Sequence, residues 1–144
     1  MKKKLNCVLL IDDDEATNFL NQELVSETGC TEHIEVAQSG SKALEYLTHA
    51  DEHCGKNDSD FPCPELIFLD INMPAMNGWE FLEKYRKLES KHKGNVIVVM
   101  LTTSLFPDDK RRAETIPEIS GFENKPLTPE AIERIVKKYF PDRV

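Results

Sequence analysis

The sequence predicts an α/β fold with a parallel sheet, five strands and five helices in a single domain. Short apolar runs alternate with amphipathic stretches along the chain, and this alternation is typical of βαβ units. The length of 144 residues suits one domain that can bury a core without disulfides or a structural metal. We therefore expect one domain over residues 1–144.

The first part of the chain contains two predicted strand and helix pairs. The mostly apolar run 5–11 predicts the first strand. Apolar residues then recur at helical spacing between a cap at Asp13 or Asp14 and a stop at Gly29. These apolar residues are Ala16, Phe19, Leu20, Leu24 and Val25. Residues 34–37 alternate like a short strand, and the helix that follows is expected to fade near Ala50.

The rest of the chain contains three more such pairs after a polar loop over residues 51–64. The third strand is predicted at 65–69, and a turn over 72–78 leads into a helix that ends near Leu88. The fourth strand, 95–101, is the most continuously apolar and is therefore expected to be buried on both faces.

The end of the chain contains a predicted strand between two predicted helices. Pro107 opens a strongly charged helix, residues 121–124 predict a short strand, and Thr128 and Pro129 have the character of an N-cap and first residue of the final helix.

Composition excludes several classes of protein. The 26 acidic residues exceed the 18 basic ones and give a formal charge of -8, which argues against a nucleic-acid surface because phosphates are neutralised by Lys and Arg. No apolar run approaches the roughly 20 residues that span a bilayer, and the four cysteines show no C-x-x-C spacing. We expect a reduced, cytoplasmic protein with neither nucleic acid nor membrane as partner.

Polar residues directly follow four of the apolar runs: Asp12 and Asp13, Asp70, Thr102, and Lys125. If the runs are parallel strands, these side chains converge on one edge of the sheet, where open α/β sheets bind ligands. Carboxylate oxygens suit Mg²⁺. A carboxylate can also attack phosphorus while a hydroxyl and an ammonium bind the phosphoryl oxygens. The predicted edge can therefore hold Mg²⁺ and accept a phosphoryl group.

Four segments in this order resemble the receiver domain of two-component response regulators, of the single-domain chemotaxis-regulator type. They are 9–14 (LLIDDD), 68–78 (FLDINMPAMNG), 98–103 (VVMLTT) and 121–127 (GFENKPL). The resemblance covers nearly the whole chain. It implies a flavodoxin-like doubly wound sheet with strand order 2-1-3-4-5.

The resemblance also implies the role of each polar residue in Mg²⁺ binding. Asp70 would be the phosphoacceptor and a metal ligand, and Asp12 and Asp13 would be the acidic pair for Mg²⁺. Asn72 would contact the metal through its backbone carbonyl.

Three further positions take their expected roles from the same resemblance. Thr102 and Lys125 would bind the phosphoryl group, and the Lys125–Pro126 bond would be cis. Thr102 and Phe122 would be the switch residues. Phe122 lacks the hydroxyl of the commoner tyrosine, so its inward and outward positions would differ by packing alone.

The function that the resemblance implies is a stand-alone phosphoacceptor. A sensor histidine kinase or histidine phosphotransfer protein would supply the phosphate, and a downstream effector protein would be reached by contact. The protein would not be an enzyme beyond catalysing its own phosphorylation and dephosphorylation. It would be a monomer or a weak homodimer.

Two other functions remain open at this level. The chain could be a pseudo-receiver that docks partners without phosphorylation, although its intact acidic and basic residues argue against this. It could also be an aspartyl-phosphate phosphatase acting on small substrates, although it lacks both an Asp-x-Asp motif at Asp70 and the length for a cap domain.

A second metal site is a weaker alternative. His49, His53, Cys54 and Cys63 fall within fifteen residues and could supply four zinc ligands, but their spacing matches no common zinc finger.

Overall fold

The computed structural model describes residues 4–53, 63–88, 96–103 and 107–142, with only the backbone described at 51–53 and 107. Strands and helices alternate throughout these residues. The strands are β1 (Leu5–Ile11), β2 (Thr31–Ala37), β3 (Leu66–Asp70), β4 (Ile97–Thr102) and β5 (Ile119–Asn124). The helices are α1 (Glu15–Thr28), α2 (Gly40–His53), α3 (Gly78–Arg86), α4 (Pro107–Glu114) and α5 (Pro129–Tyr139).

The five strands form one parallel sheet in the order β2-β1-β3-β4-β5, which confirms the predicted topology. Since β1 and β3 are neighbours and Ile11 lies opposite Leu69, the residues that follow these strands emerge side by side. On the other side of β3, Asp70 lies opposite Leu101 of β4. The strand order therefore brings the ends of β1, β3 and β4 to one edge of the sheet.

Two apolar cores cover the two faces of the sheet. One face packs against α2 and α3, with Leu9, Leu69 and Phe81 among its buried residues. The opposite face packs against α1 and α5, with Phe68 and Ile132 among them. Because β1, β3 and β4 are covered on both sides, they are almost continuously apolar, as parallel central strands usually are.

Helix caps agree with the sequence signals. Asp14 is the N-cap of α1, and Gly29 ends that helix with φ 66, a left-handed conformation that glycine adopts easily. Thr128 caps α5 by accepting a hydrogen bond from the Ala131 N–H at 3.1 Å, with Pro129 at the first helical position.

The boundaries of several elements differ from the prediction by one to three residues. β2 begins at Thr31 rather than 34, β5 begins at Ile119 rather than 121, and α2 continues past Ala50 to His53. The strands β2 and β5 lie at the edges of the sheet and are largely half-buried. Polar residues are therefore tolerated in them, and their apolar pattern is weak. Residues 54–62 of the predicted loop lie outside the described residues.

The apolar spacing that predicts α1 marks its buried face at Leu24 and Val25 but not earlier in the helix. Phe19 and Leu20 are 66% and 51% exposed. The residues of α1 that are buried are Asn18, Asn21 and Val25.

Two further observations concern the cysteines and the length of the helices. Cys7 and Cys30 are free and buried, whereas Cys63 is disulfide-bonded, which differs from the expectation of a fully reduced chain. None of the helices in the described part of the chain combines the length and apolar character needed to cross a membrane.

Candidate functional site

Three carboxylates meet where β1 and β3 end. One carboxylate oxygen from each of Asp12, Asp13 and Asp70 lies within 4.8 Å of the others. Asp12 and Asp70 are 3% and 4% exposed, and Asp13 is exposed. We call these three residues the acidic cluster. Two of its members are thus held out of water, while the third faces solvent.

Lys125 bridges the two buried members of the acidic cluster. Its Nζ lies 2.6 Å from Asp12 Oδ2 and 3.0 Å from Asp70 Oδ1. Lys125 directly follows β5, and its backbone N–H donates to the Thr102 carbonyl at 2.8 Å. The Lys125–Pro126 peptide bond is cis, as the sequence resemblance implied. One ammonium thus contacts two of the three carboxylates of the acidic cluster, so the cluster has fewer positive than negative groups.

Asp12 is fixed at four points. Its N–H donates to Ala37 O at 3.1 Å, and its Oδ1 accepts from the Asp14 N–H at 2.9 Å. Its Oδ2 accepts from Lys125 Nζ, and its carbonyl accepts from Asn18 Nδ2 at 2.7 Å. The carboxylate orientation is therefore set by both the sheet and α1.

The turn after Asp70 is held equally closely. The Asn72 N–H lies 3.4 Å from Asp70 Oδ1, and the Gly78 N–H donates to Ile71 O at 2.8 Å. A Cβ at position 78 would lie 2.8 Å from the Asp70 carbonyl oxygen, which real side chains do not tolerate. Asn77 caps α3 with a capping box that it shares with Glu80. The start of α3 therefore packs directly on the backbone of Asp70.

The electrostatics of the site favour an added cation. Burial, and to a lesser degree the Asp12 carboxylate, raise the pKa of Asp70, although its hydrogen bond with Lys125 acts in the opposite direction. Burial alone would lower the pKa of Lys125, but its hydrogen bonds to Asp12 and Asp70 raise it overall. Lys125 therefore does not fully offset the cost of burying ionised Asp70, and a bound cation would favour the ionised form. Oxygen ligands from clustered carboxylates are the donor set that Mg²⁺ prefers.

Thr102 completes this edge of the sheet. It is the last residue of β4, fully buried, and its Cα lies opposite that of Asn124, the residue before Lys125. The residue before it, Leu101, lies opposite Asp70. The structure therefore places Thr102 between the strand that ends in Asp70 and the strand that precedes Lys125, as predicted.

Comparison with known proteins agrees with this geometry. A sequence model of the response regulator receiver domain matches residues 8–137. The chain belongs to the response regulator receiver family. It is therefore a receiver domain of two-component signalling.

Relatives of this receiver domain include whole regulators and parts of larger proteins. It is 32% identical to a probable methanogenesis regulatory protein, FilR2, of Methanothrix harundinacea over 91% of this chain and 79% of that one. A crystal structure of a two-component response regulator from Cytophaga hutchinsonii has a TM-score of 0.84 and 34% identity, covering 96% of this chain and 99% of that one. Hybrid signal transduction histidine kinase L of Dictyostelium discoideum is 28% identical over 95% of this chain, which spans only 7% of that kinase.

The predicted switch residue of this receiver, Phe122, lies on β5. It is half-buried, packs against the core on the α2 and α3 side of the sheet, and lines a groove of about 260 Å³ between β5 and α5. Gly121 beside it lies close to the Tyr139 hydroxyl, which donates to Ser120 O at 2.6 Å. Phe122 therefore lies on the strand that leads to Lys125, outside the acidic cluster.

The zinc alternative has little support in this receiver. Cys63 is disulfide-bonded, and a disulfide sulfur is not the thiolate that zinc binds. The His53 side chain and Cys54 lie outside the described residues. Within the described residues, the acidic cluster is the one group of three or more His, Cys, Asp or Glu side chains that could hold a metal.

Proposed function

We propose that this receiver domain is a Mg²⁺-dependent phosphoacceptor that is phosphorylated on Asp70. The observation that carries the proposal is the acidic cluster, whose three carboxylate oxygens lie within 4.8 Å, with Lys125 in contact with two of its members. Asp12, Asp13 and Asp70 would supply carboxylate ligands to Mg²⁺, and Asn72 would add its backbone carbonyl. When bound, Mg²⁺ would supply positive charge to the phosphoryl oxygens.

The chemistry begins with Asp70. One of its carboxylate oxygens attacks the phosphorus of a phosphohistidine. An O–P bond forms, the N–P bond breaks, and its electron pair leaves with the imidazole nitrogen, which takes up a proton from solvent. Asp70 acts as the nucleophile in its ionised form, which burial disfavours by raising the pKa and which the hydrogen bond from Lys125 favours. Attack of water on the acyl phosphate later releases inorganic phosphate and restores the carboxylate.

Lys125 and Thr102 would stabilise the transferred group. The Lys125 ammonium already contacts the Asp70 carboxylate at 3.0 Å, so it is within reach of phosphoryl oxygens attached to that residue. Thr102 lies on the adjacent strand at the same edge of the sheet. An ammonium and a hydroxyl donate hydrogen bonds where negative charge develops.

The proposed partners follow from this reaction. A sensor histidine kinase or a histidine phosphotransfer protein supplies the phosphoryl group, and a downstream effector protein responds to the phosphorylated state. The receiver turns over no other substrate, since it only receives the group and loses it to water. A cytoplasmic location and a monomer or weak homodimer belong to the same proposal.

Intact mass spectrometry tests the proposal. The parent chain, Asp70→Ala and the control Asp142→Ala, a change of an exposed carboxylate near the end of the described residues, are incubated with Mg²⁺ and a small phosphodonor. We expect an added mass of about 80 Da, one phosphoryl group in place of a proton, on the parent and the control but not on Asp70→Ala, and none in EDTA.

A parent chain that gains no mass in Mg²⁺ would contradict the proposal and favour a docking module that works without phosphorylation. Steady release of phosphate from a phosphomonoester would instead favour a phosphatase.

A further inference from the structure

Asn18 is a buried polar residue that the proposed reaction leaves without a role. It lies in the second turn of α1, is 3% exposed, and donates from Nδ2 to the carbonyl oxygen of Asp12 at 2.7 Å. A buried amide in a helix interior is unfavourable unless it gains a specific hydrogen bond. The bond to Asp12 is therefore the feature that explains Asn18.

The Asp12 carbonyl lies where the sheet stops pairing. The register of β1 with β2 ends at Ile11 and Ala37, and the register of β1 with β3 ends at Ile11 and Leu69. Asp12 lies one residue beyond these pairs. A buried carbonyl at such a point needs a donor from outside the ladder, and Asn18 provides one.

The amide oxygen of the Asn18 side chain supports the same interpretation. Asn18 Oδ1 is buried and has no hydrogen-bond partner among the described residues. An unpaired buried oxygen opposes folding, so an apolar side chain of similar size would suit packing alone better. The contribution of Asn18 therefore lies in the bond that its Nδ2 makes.

We infer that Asn18 is a positioning residue for metal binding, because it fixes the backbone of Asp12 so that the Asp12 carboxylate points into the acidic cluster. The inference rests on the proposed function and adds a residue outside the cluster to it. Partners that orient a metal ligand from outside the ligand set contribute to metal affinity.

The backbone of Asn18 ties α1 to the same loop. Its N–H donates to the Asp14 carbonyl at 3.0 Å, while the Asp14 N–H donates to Asp12 Oδ1 at 2.9 Å. Both the main chain and the side chain of Asn18 therefore hold the segment 12–14, from which two of the three cluster carboxylates project.

Asn21 offers a matched control. It is also a buried asparagine of α1, 5% exposed, and lies one turn further along the helix. The two changes Asn18→Leu and Asn21→Leu therefore remove the same group from the same helix, but only the first removes a contact with Asp12. Asn18→Ala and Asn21→Ala form a second pair with smaller side chains, which is used if either leucine variant does not fold.

The experiment measures the Mg²⁺ dissociation constant of each variant by calorimetry, with thermal unfolding in EDTA to compare the folds. We expect Mg²⁺ binding by the Asn18 variant to be weaker by about tenfold or more than binding by the matched Asn21 variant, the usual range for loss of such partners. A difference of less than about tenfold overturns the inference, because Asn18 would then act as a structural residue like Asn21.

The parent chain separates this inference from the proposed function. If the parent binds Mg²⁺ and is phosphorylated while the two asparagine variants behave alike, only the role of Asn18 is wrong. If the parent binds no Mg²⁺, both the proposed function and the role of Asn18 are wrong.

Discussion

The last two residues of β3 show two regions of the molecule in direct contact. Leu69 and Asp70 are adjacent and almost equally buried, at 0% and 4% exposure. Leu69 belongs to an apolar core, and Asp70 belongs to the acidic cluster. Burial of the leucine stabilises the fold, whereas burial of the aspartate opposes its ionisation.

This difference shows that stability and the acidic cluster depend on different parts of the same strands. The apolar interiors of β1, β3 and β4 supply stability, while the edge where they end gathers like charges at some expense of stability. Opposite effects of substitution at two adjacent positions are therefore expected, and they provide the sharpest tests of the comparison.

The largest effect is expected for Leu69→Ala. Truncation of a fully buried leucine removes apolar contacts and leaves a cavity, so the free energy of unfolding should fall by about 2–5 kcal/mol. Urea denaturation monitored by circular dichroism measures the change. Leu20→Ala is the control, because Leu20 is 51% exposed on α1 and its truncation should change stability by only about 0.5 kcal/mol. Equal losses in the two variants would contradict the position of Leu69 in the core.

Much of this division could be predicted from the sequence, because the central strands are apolar on both faces and end in polar residues. The edge strands were less predictable. The first three residues of β2 include Glu32 and His33, which an edge strand tolerates because it is only half covered, so the pattern of apolar residues begins later than the strand does.

The residues of the site were likewise only partly predictable from the sequence. The sequence predicted the convergence of Asp12, Asp13, Asp70, Thr102 and Lys125, because each follows or ends a strand and parallel strands end at one edge. Asn18 could not be predicted in this way. An asparagine among apolar helix residues is typical of an exposed position, and only its tertiary contact with Asp12 reveals its burial.

A smaller effect of opposite sign is expected for Asp70→Asn without metal. Asparagine keeps the shape of the side chain and an oxygen that can accept from Lys125, but it removes a negative charge whose ionisation the fold disfavours. The melting temperature in EDTA near neutral pH should rise by a few degrees, since about 1 kcal/mol corresponds to roughly 2–4 °C in a domain of this size.

The pH dependence of the stability difference between the parent and Asp70→Asn tests the sign of the same effect. Because the pKa of Asp70 is raised in the folded chain, the folded state binds more protons than the unfolded one as the pH rises above the ordinary aspartate value of about 3.9. The parent therefore loses stability across this range relative to Asp70→Asn. The advantage of the variant should be absent below about pH 3.9 and complete above the raised pKa. An Asp70→Asn protein that melts below the parent in EDTA would show that buried Asp70 stabilises the fold.

The most direct test of the acidic cluster is a calorimetric titration with Mg²⁺. Asp13 is the cluster member of choice, because it is exposed and its loss should disturb the fold least, and Glu15→Gln is the matched change of an exposed acid close by in the chain. We expect one Mg²⁺ per parent chain, affinity weakened by about tenfold or more, or 1.4 kcal/mol, in Asp13→Asn, and little change in Glu15→Gln. The account is contradicted if the parent binds no Mg²⁺ at millimolar concentrations, or if Asp13→Asn binds Mg²⁺ as tightly as the parent.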